Sequence, residues 1–300
     1  MKKKTLEHSR RLRGLFYVLP CFVFHFILII IPALSLIYYS FTKWNGLGEP
    51  QFIGAGNFVK AFTGDPVFLQ SLWHNVEWTI FFCIVPVLLA IVASLLMVRL
   101  KKSQMAFRSL IFLPYVMSPL VAGCIFSYMY SPLIGVASIF EKLGITSLST
   151  FAPLGDTNMA LYAVAGADAW HFWGFAMVIL LAALHQVDND LYEVADLEGC
   201  NALQKFVHVT LPSIAPTLAM IYMYILINSF LTFDYVYVMT NGGPSSSTEI
   251  AATWIYKLTF VSYDAGYGSA MSLVVCAICV LIYFLFQIVQ NQLKKKDVTI

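Results

Sequence analysis

Residues 192–212 read YEVADLEGCNALQKFVHVTLP, a polar segment in a chain that is 59% hydrophobic and only 11% charged. From Asp188 onward it gathers Asp188, Asp190, Glu193, Asp196 and Glu198, five of the sixteen acids in the sequence. Its local signals are those of two short helices. Asp190 stands where an N-cap would, and Glu193 three residues on can reach back to the cap N–H, a capping box with Asp in place of Ser or Thr. A helix starting near Leu191 puts Leu191, Val194, Ala195 and Glu198 at i, i+3, i+4 and i+7, one narrow face with a small residue at its centre. Gly199 is its expected stop, because glycine enters positive φ without a Cβ penalty. A second helix is expected from Asn201 toward Thr210, with Leu203, Phe206 and Val207 apolar, reaching Leu211 and Pro212.

Outward from this segment the chain turns apolar. A mean hydropathy of +0.76 with 15% aromatic residues leaves too little polar surface for a soluble globule. A hydrocarbon core about 30 Å thick needs about 20 apolar residues as a helix. Six stretches meet that length, at 14–40, 76–98, 109–131, 159–184, 213–239 and 269–290. The expected fold is an all-α integral membrane protein, one domain over 1–300, with the polar loop 185–212 joining helices four and five. The first span follows MKKK and RRLR. Its apolar run is too long for a secretory signal and no small-residue cleavage site follows, so it is expected to remain as an anchor.

Lys and Arg set the orientation, because loops rich in them stay in the cytoplasm. Fourteen of the eighteen fall on one side: Lys2, Lys3, Lys4, Arg10, Arg11, Arg13, then Arg99, Lys101, Lys102, Arg108, then Lys205, and finally Lys294, Lys295 and Lys296. The opposite side holds Lys43, Lys60, Lys142 and Lys257. Both termini and the acidic loop are therefore expected to be cytoplasmic. The opposite connections, KWNGLGEP, FIGAGNF, TGDP, SPLIG and TNGGPSSS, are rich in turn formers. Pro and Gly also interrupt the apolar runs, as in FLPYVMSP, which helix bundles tolerate.

Chemistry is sparse. The six cysteines form no disulfide or redox framework, and the CAIC pair lies in a long apolar run. His171, His185 and His208 have no second ligand at metal spacing, so a structural role and no metal are expected. No G-x-x-x-x-G-K-[ST] occurs, so the chain does not cradle ATP phosphates by that route.

The acidic loop resembles the cytoplasmic loop of ATP-binding-cassette importer permeases, whose pattern is Glu-Ala-Ala, then Asp-Gly-Ala, then Phe and a closing Leu-Pro. The match is at Glu193, Ala195, Gly199, Phe206, Leu211 and Pro212; the departures are Val194 for Ala, Glu198 for Asp and Cys200 for Ala. FIGAGNF, FRSLIFLPYVMSP, LYEVADLEG, FDYVYVMTNGGP and YDAGYGSAMS resemble, in order, the carbohydrate-uptake branch of that family, which includes permeases for maltose, multiple sugars and glycerol phosphate. The resemblance implies a multi-pass subunit of a bacterial or archaeal cytoplasmic membrane. Its implied partners are a second homologous permease, two ATPase subunits as homodimer or heterodimer, and an extracellular or periplasmic solute-binding protein. No cofactor is implied for this chain, ATP and Mg belonging to the ATPases. Glu193, Ala195, Glu198, Gly199, Phe206, Leu211 and Pro212 are the implied ATPase-coupling residues.

For the solute pathway, intramembrane charges come first, and Asp168 and Asp234 lie inside the expected spans. Asp168, Phe172 and Phe175 fall at i, i+4 and i+7 on the fourth helix. Asn228, Thr232 and Tyr235 repeat that spacing on the fifth, with Ser229 beside them. Polar groups with aromatics suit a sugar, whose hydroxyls seek hydrogen bonds and whose C–H faces stack on rings. Asn228, Ser229 and Thr232 serve equally as interhelical glue, and Trp170, Trp173, Tyr235 and Tyr237 as packing or interface residues. Asp234 is expected to bond the following GGP turn. Two other classes stay open: an ion-coupled secondary transporter, for which Asp168 would be the coupling carboxylate, and a membrane-embedded enzyme, for which no dyad or nucleophile elbow is present. Within the family, a glycerol-phosphate ester is the alternative to a sugar.

Overall fold

The computed structural model describes residues 17–100, 103–145 and 150–297, with side chains up to Gln292. The basic residues from Lys2 to Arg13, the start of the first span at 14–16, and Lys101 and Lys102 lie outside the described residues. Among the described residues five helices are long and apolar enough to cross a membrane, six if the bent pair Gln104–Val116 with Pro119–Met129 is counted as one span. The chain divides into two compact units, one running to Gly64 with Ile255–Val274, the other being Asp65–Trp254 with the chain from Val275 on.

In the first unit, α1 (Tyr17–Ser40) carries one π turn at Phe26–Ile30. A two-stranded ribbon follows, β1 (Thr42–Lys43) pairing antiparallel with β2 (Gln51–Phe52) in the register Thr42 to Phe52. Asn57, on α2 (Gly56–Thr63), donates through Nδ2 to the carbonyls of Ser40 and Thr42 at 2.9 and 2.8 Å, which satisfies the orphan end of α1. Lys60 pairs with Asp264 at 3.0 Å and lies 3.8 Å over the Tyr267 ring.

The second unit is built on α3 (Pro66–Val98) and α7 (Ala160–Leu184). Between them run α4 (Gln104–Val116), α5 (Pro119–Met129) and the short α6 (Val136–Lys142). After α7 come α8 (Asn189–Leu197), α9 (Ala202–Leu231), α10 (Asp234–Met239), α11 (Ala251–Tyr256) and α12 (Ala265–Asp297), the last helix shared between the units. α7 buries Ala160, Ala165, Ala167, Ala169, Gly174 and Ala176, small residues that let neighbouring backbones close in. At Gly174 the approach is closest: a Cβ there would strike the Ile111 carbonyl of α4 and come within 3.3 Å of Phe112 Cα. α9 buries Ile214, Leu218, Ile221 and Ile225, one stripe at helical spacing, into the core formed with Trp78, Phe82, Val87 and Leu180.

Three expected spans differ from the observed helices. The second begins at Pro66, ten residues before the expected 76–98, because Asp65 caps it through Oδ1 to Phe68 N–H at 2.9 Å and Pro66 occupies the first helical position. The third, expected as one helix over 109–131, is broken by 92° between α4 and α5. Pro119 has no N–H to continue the ladder and forces Ser118 to extended backbone, ψ 138°. The fifth, expected over 213–239, starts earlier, at Ala202, and breaks after Leu231 where Thr232 turns extended, ψ 139°. Asn75 holds that break. Its Nδ2 donates to the Ser229 carbonyl at 2.6 Å, and its Oδ1 accepts from Ala251 N–H at 3.0 Å.

Candidate functional site

The acidic loop folds as two capped helices, but with a different cap from the expected one. Asp188, in extended backbone, is the N-cap of α8 and accepts from Asp190 N–H at 3.1 Å. Asp190 is thereby moved into the first turn, where a carboxylate favours the helix dipole. The reciprocal capping box belongs to α9: Asn201 Oδ1 accepts from Gln204 N–H at 2.9 Å, and Gln204 Oε1 from Asn201 N–H at 2.8 Å. Between the helices Gly199 sits at φ +74°, with Cys200 N–H on the Ala195 carbonyl at 2.9 Å and Gly199 N–H on the Asp196 carbonyl at 3.1 Å. That pair of bonds is a Schellman stop.

The α8 helix is tied back onto the base of α9. Tyr192 OH meets Thr210 Oγ1 at 2.9 Å, and Lys205 pairs with Asp196. Ala195 is buried on this inner side, only 7% exposed, so its small size serves packing within the loop. Glu193, Glu198, Gly199 and Pro212 are exposed, Phe206 and Leu211 half-buried. Leu191, Val194, Leu197 and Leu203 are exposed as well, Leu197 at 88%. The outer face of the loop is thus a row of apolar side chains flanked by carboxylates, with open space around Gly199.

Between the middle of α7 and the far end of α9 lies a cavity of about 430 Å³. Both breaks contribute to its lining, Met117 and Pro119 from one and Leu231 to Asp234 from the other. Asp168 and Phe172 enter it from α7, Asn228 and Ser229 from α9, and Thr232 from the break. Phe175 stands behind the lining, stacked on Tyr115 at 4.6 Å, with Phe172 at 5.8 Å. Phe172 in turn stacks on Tyr224 at 5.7 Å and lies 5.7 Å from Phe82, so the wall is a connected set of rings.

Trp78, Tyr115 and Tyr224 also line this space, although sequence reasoning did not single them out, and so do Asp234 and Tyr235, which it weighed against structural roles. Asp234 departs from its expected role: the turn after α10 is bonded by Thr248, whose Oγ1–H reaches the Gly243 carbonyl at 2.7 Å, and Asp234 faces the cavity instead. Tyr235 is 3% exposed and its hydroxyl has no hydrogen-bond partner among the described residues. His171 Nε2–H donates to the Met117 carbonyl at 3.0 Å, the orphan acceptor at the α4 end. His208 Nδ1–H donates to the Gln204 carbonyl at 3.0 Å, and His185 Nε2 lies 3.1 Å from Gln104 Nε2. Asn228 returns its Nδ2–H to the Tyr224 carbonyl of its own helix at 3.0 Å, leaving Oδ1 available. The glue between helices is Asn75, acting on the Ser229 backbone and not on its hydroxyl.

Known proteins with this arrangement are membrane transport components. The chain is 30% identical over 264 residues to the diacetylchitobiose uptake system permease protein NgcF of Streptomyces coelicolor, covering 84% of this chain and 74% of that one. It is 29% identical over 300 residues to the sn-glycerol-3-phosphate transport system permease protein UgpA of Brucella suis, covering 97% and 99%. Its fold matches a chain of a bacterial ABC transporter involved in the import of the acidic polysaccharide alginate, with a TM-score of 0.82, 20% identity and coverage of 96% and 99%. A family model described as binding-protein-dependent transport system inner membrane component matches residues 86–295. The chain therefore belongs to that family, as a multi-pass permease of an ATP-binding-cassette importer.

Proposed function

We propose that this chain forms half of the pathway for a sugar or related polyhydroxylated solute, opposite a second homologous permease. Two ATPase subunits dock on the loop 188–212, and a solute-binding protein delivers from the opposite side, with both chain termini on the ATPase side. The observation that supports the reading is one of connection: the helices joined by the acidic loop are α7, whose middle brings Asp168 and Phe172 to one cavity, and α9, whose far end brings Asn228, Ser229 and Thr232 to it. In the loop, Glu193 and Glu198 offer charge-assisted bonds to basic groups of an ATPase, and Leu197 and Val194 offer apolar contact. Phe206, Leu211 and Pro212 join that contact to α9. ATPase closure displaces α8, and the Tyr192–Thr210 and Asp196–Lys205 ties pass the displacement to α9 and the cavity. The solute binds between rings and polar groups: Phe172 and Tyr224 present faces, Asn228 Oδ1 and the Thr232 hydroxyl accept from hydroxyls.

The complete importer reconstituted in vesicles with its binding protein tests this. ATP-dependent uptake from a labelled pool of mono- and oligosaccharides and sn-glycerol 3-phosphate is expected, and Asn228→Ala or Asp168→Asn raises the half-saturating concentration. Uptake driven by an ion gradient without ATP refutes the reading in favour of a secondary transporter.

A further inference from the structure

The lining of the α7–α9 cavity bears on which solutes the pathway admits, an inference that rests on the importer reading above. Asp168 and Asp234 both line the space, and none of the lining residues is Lys or Arg. No described residue donates a hydrogen bond to either carboxylate. The Nε2–H of His171 is committed to the Met117 carbonyl and does not reach them. Beside them the buried Tyr235 hydroxyl has no hydrogen-bond partner among the described residues. A buried hydroxyl left in that state is costly and marks a place where an absent group belongs.

These groups complement one kind of ligand. Two carboxyl groups and the Asn228 Oδ1 acceptor suit donors, which the hydroxyls of a saccharide supply, while Trp78, Phe82, Phe172 and Tyr224 offer ring faces to its C–H surface. An anionic group meets the opposite situation. Held within about 6 Å of one carboxylate at an effective dielectric near 20, it loses about 100-fold in affinity. We propose that the cavity selects solutes without negative charge, taking a neutral hydroxyl-rich saccharide that donates to Asp168 and Asp234 and engages the Tyr235 hydroxyl, and rejecting phosphate-, carboxylate- and sulfonate-bearing solutes. The chain thus parts in charge preference from the matched relatives named for glycerol phosphate and for an acidic polysaccharide.

The test is competitive uptake by cells with and without this chain, the rest of the importer being present in both. They are fed an equimolar mixture of malto-, cello-, xylo- and chito-oligosaccharides, oligogalacturonates, oligoalginates and sn-glycerol 3-phosphate, and depletion is read by mass spectrometry. Chain-dependent depletion of uncharged members alone is the expected result. Depletion of any anionic member overturns the charge rule while leaving the importer intact, and no chain-dependent depletion of any member overturns the importer reading itself. For the depleted sugar, Tyr235→Phe and Asp168→Asn are expected to raise the half-saturating concentration about three- to tenfold each, with Asp168→Glu restoring most of it. Co-purification of the ATPase subunits controls for assembly. Half-saturation unchanged in both variants overturns the assignment of these groups.

Discussion

Replacing Asn75 by Leu removes a side chain that joins α3 both to the end of α9 and to the start of α11. Asn75 is fully buried, and its amide satisfies two backbone groups at once, the Ser229 carbonyl at 2.6 Å and the Ala251 N–H at 3.0 Å. Leucine keeps the branch at Cγ and leaves both groups orphaned. Each buried unsatisfied group costs about 1–3 kcal/mol, so Asn75→Leu is expected to destabilise the subunit by about 2–6 kcal/mol. Asn75→Asp separates the two bonds: it keeps an acceptor for Ala251 and sets a carboxylate oxygen against the Ser229 carbonyl. Its cost is expected to fall mainly on the α9 end, with the solute half-saturation disturbed more than by the leucine change at equal expression. Leu88→Ala on the exposed face of α3 is the control, expected within about 0.5 kcal/mol. Heating the detergent-purified importer and following the remaining monodisperse complex by fluorescence-detected size exclusion gives the ranking. A melting point for Asn75→Leu equal to that of Leu88→Ala would refute the bridge.

At Gly174, alanine drives a methyl into the Ile111 carbonyl, and the resulting displacement of α4 is expected to cost about 1–3 kcal/mol, read in the same melting assay. Gly199→Asp is expected to abolish transport while the subunit still reaches the membrane. Gly199→Asn, which tolerates φ +74° without adding charge, is expected to retain part of it, and equal uptake by wild type and the Asp variant counts against docking at this turn. Tyr192→Phe cuts the tie to Thr210 and is expected to lower solute moved per ATP hydrolysed while the hydrolysis rate stays near wild type; a proportional fall in both points to lost docking instead. Asp196→Lys with Lys205→Asp is expected to recover the coupling that either single change loses, with at most about 1 kcal/mol in stability because the pair is partly exposed.

The loop was legible because its signals are local. A glycine at the stop, an acid at the start and a closing Leu-Pro are each read within a few residues, and the cap was misplaced by two because VDND offers Asp188 as well as Asp190 for the same role. The cavity was half legible. Asp168 and Phe172, and Asn228 and Thr232, follow from one-turn spacing on a single helix. Trp78, Tyr115 and Tyr224 do not, since in a chain with 15% aromatics a ring aimed at a cavity reads like a ring aimed at lipid. Asp234 was assigned to the turn after it because its distance from the α4–α5 break is a fact of tertiary packing. The break after Leu231 has no Pro or Gly at its own position; Asn75 holds it, from a residue outside the expected second span.

α9 runs without interruption for 30 residues, from Ala202 in the acidic loop to Leu231 at the cavity. At 1.5 Å per residue it is about 45 Å long. Traffic along such a rod has no preferred direction. In the importer proposed above, whatever free energy an ATPase at the loop invests in altering the cavity's grip on solute, solute in the cavity returns, in equal measure, as a change in the loop's grip on that ATPase. The π turn at Phe206–Thr210 sits at the loop end of the rod, beside the Tyr192 tie, and is where slack in that exchange would be taken up. In the proposed importer, an empty pathway and a loaded one are therefore distinguishable to the ATPase before any nucleotide is spent, with α9 as the sensor.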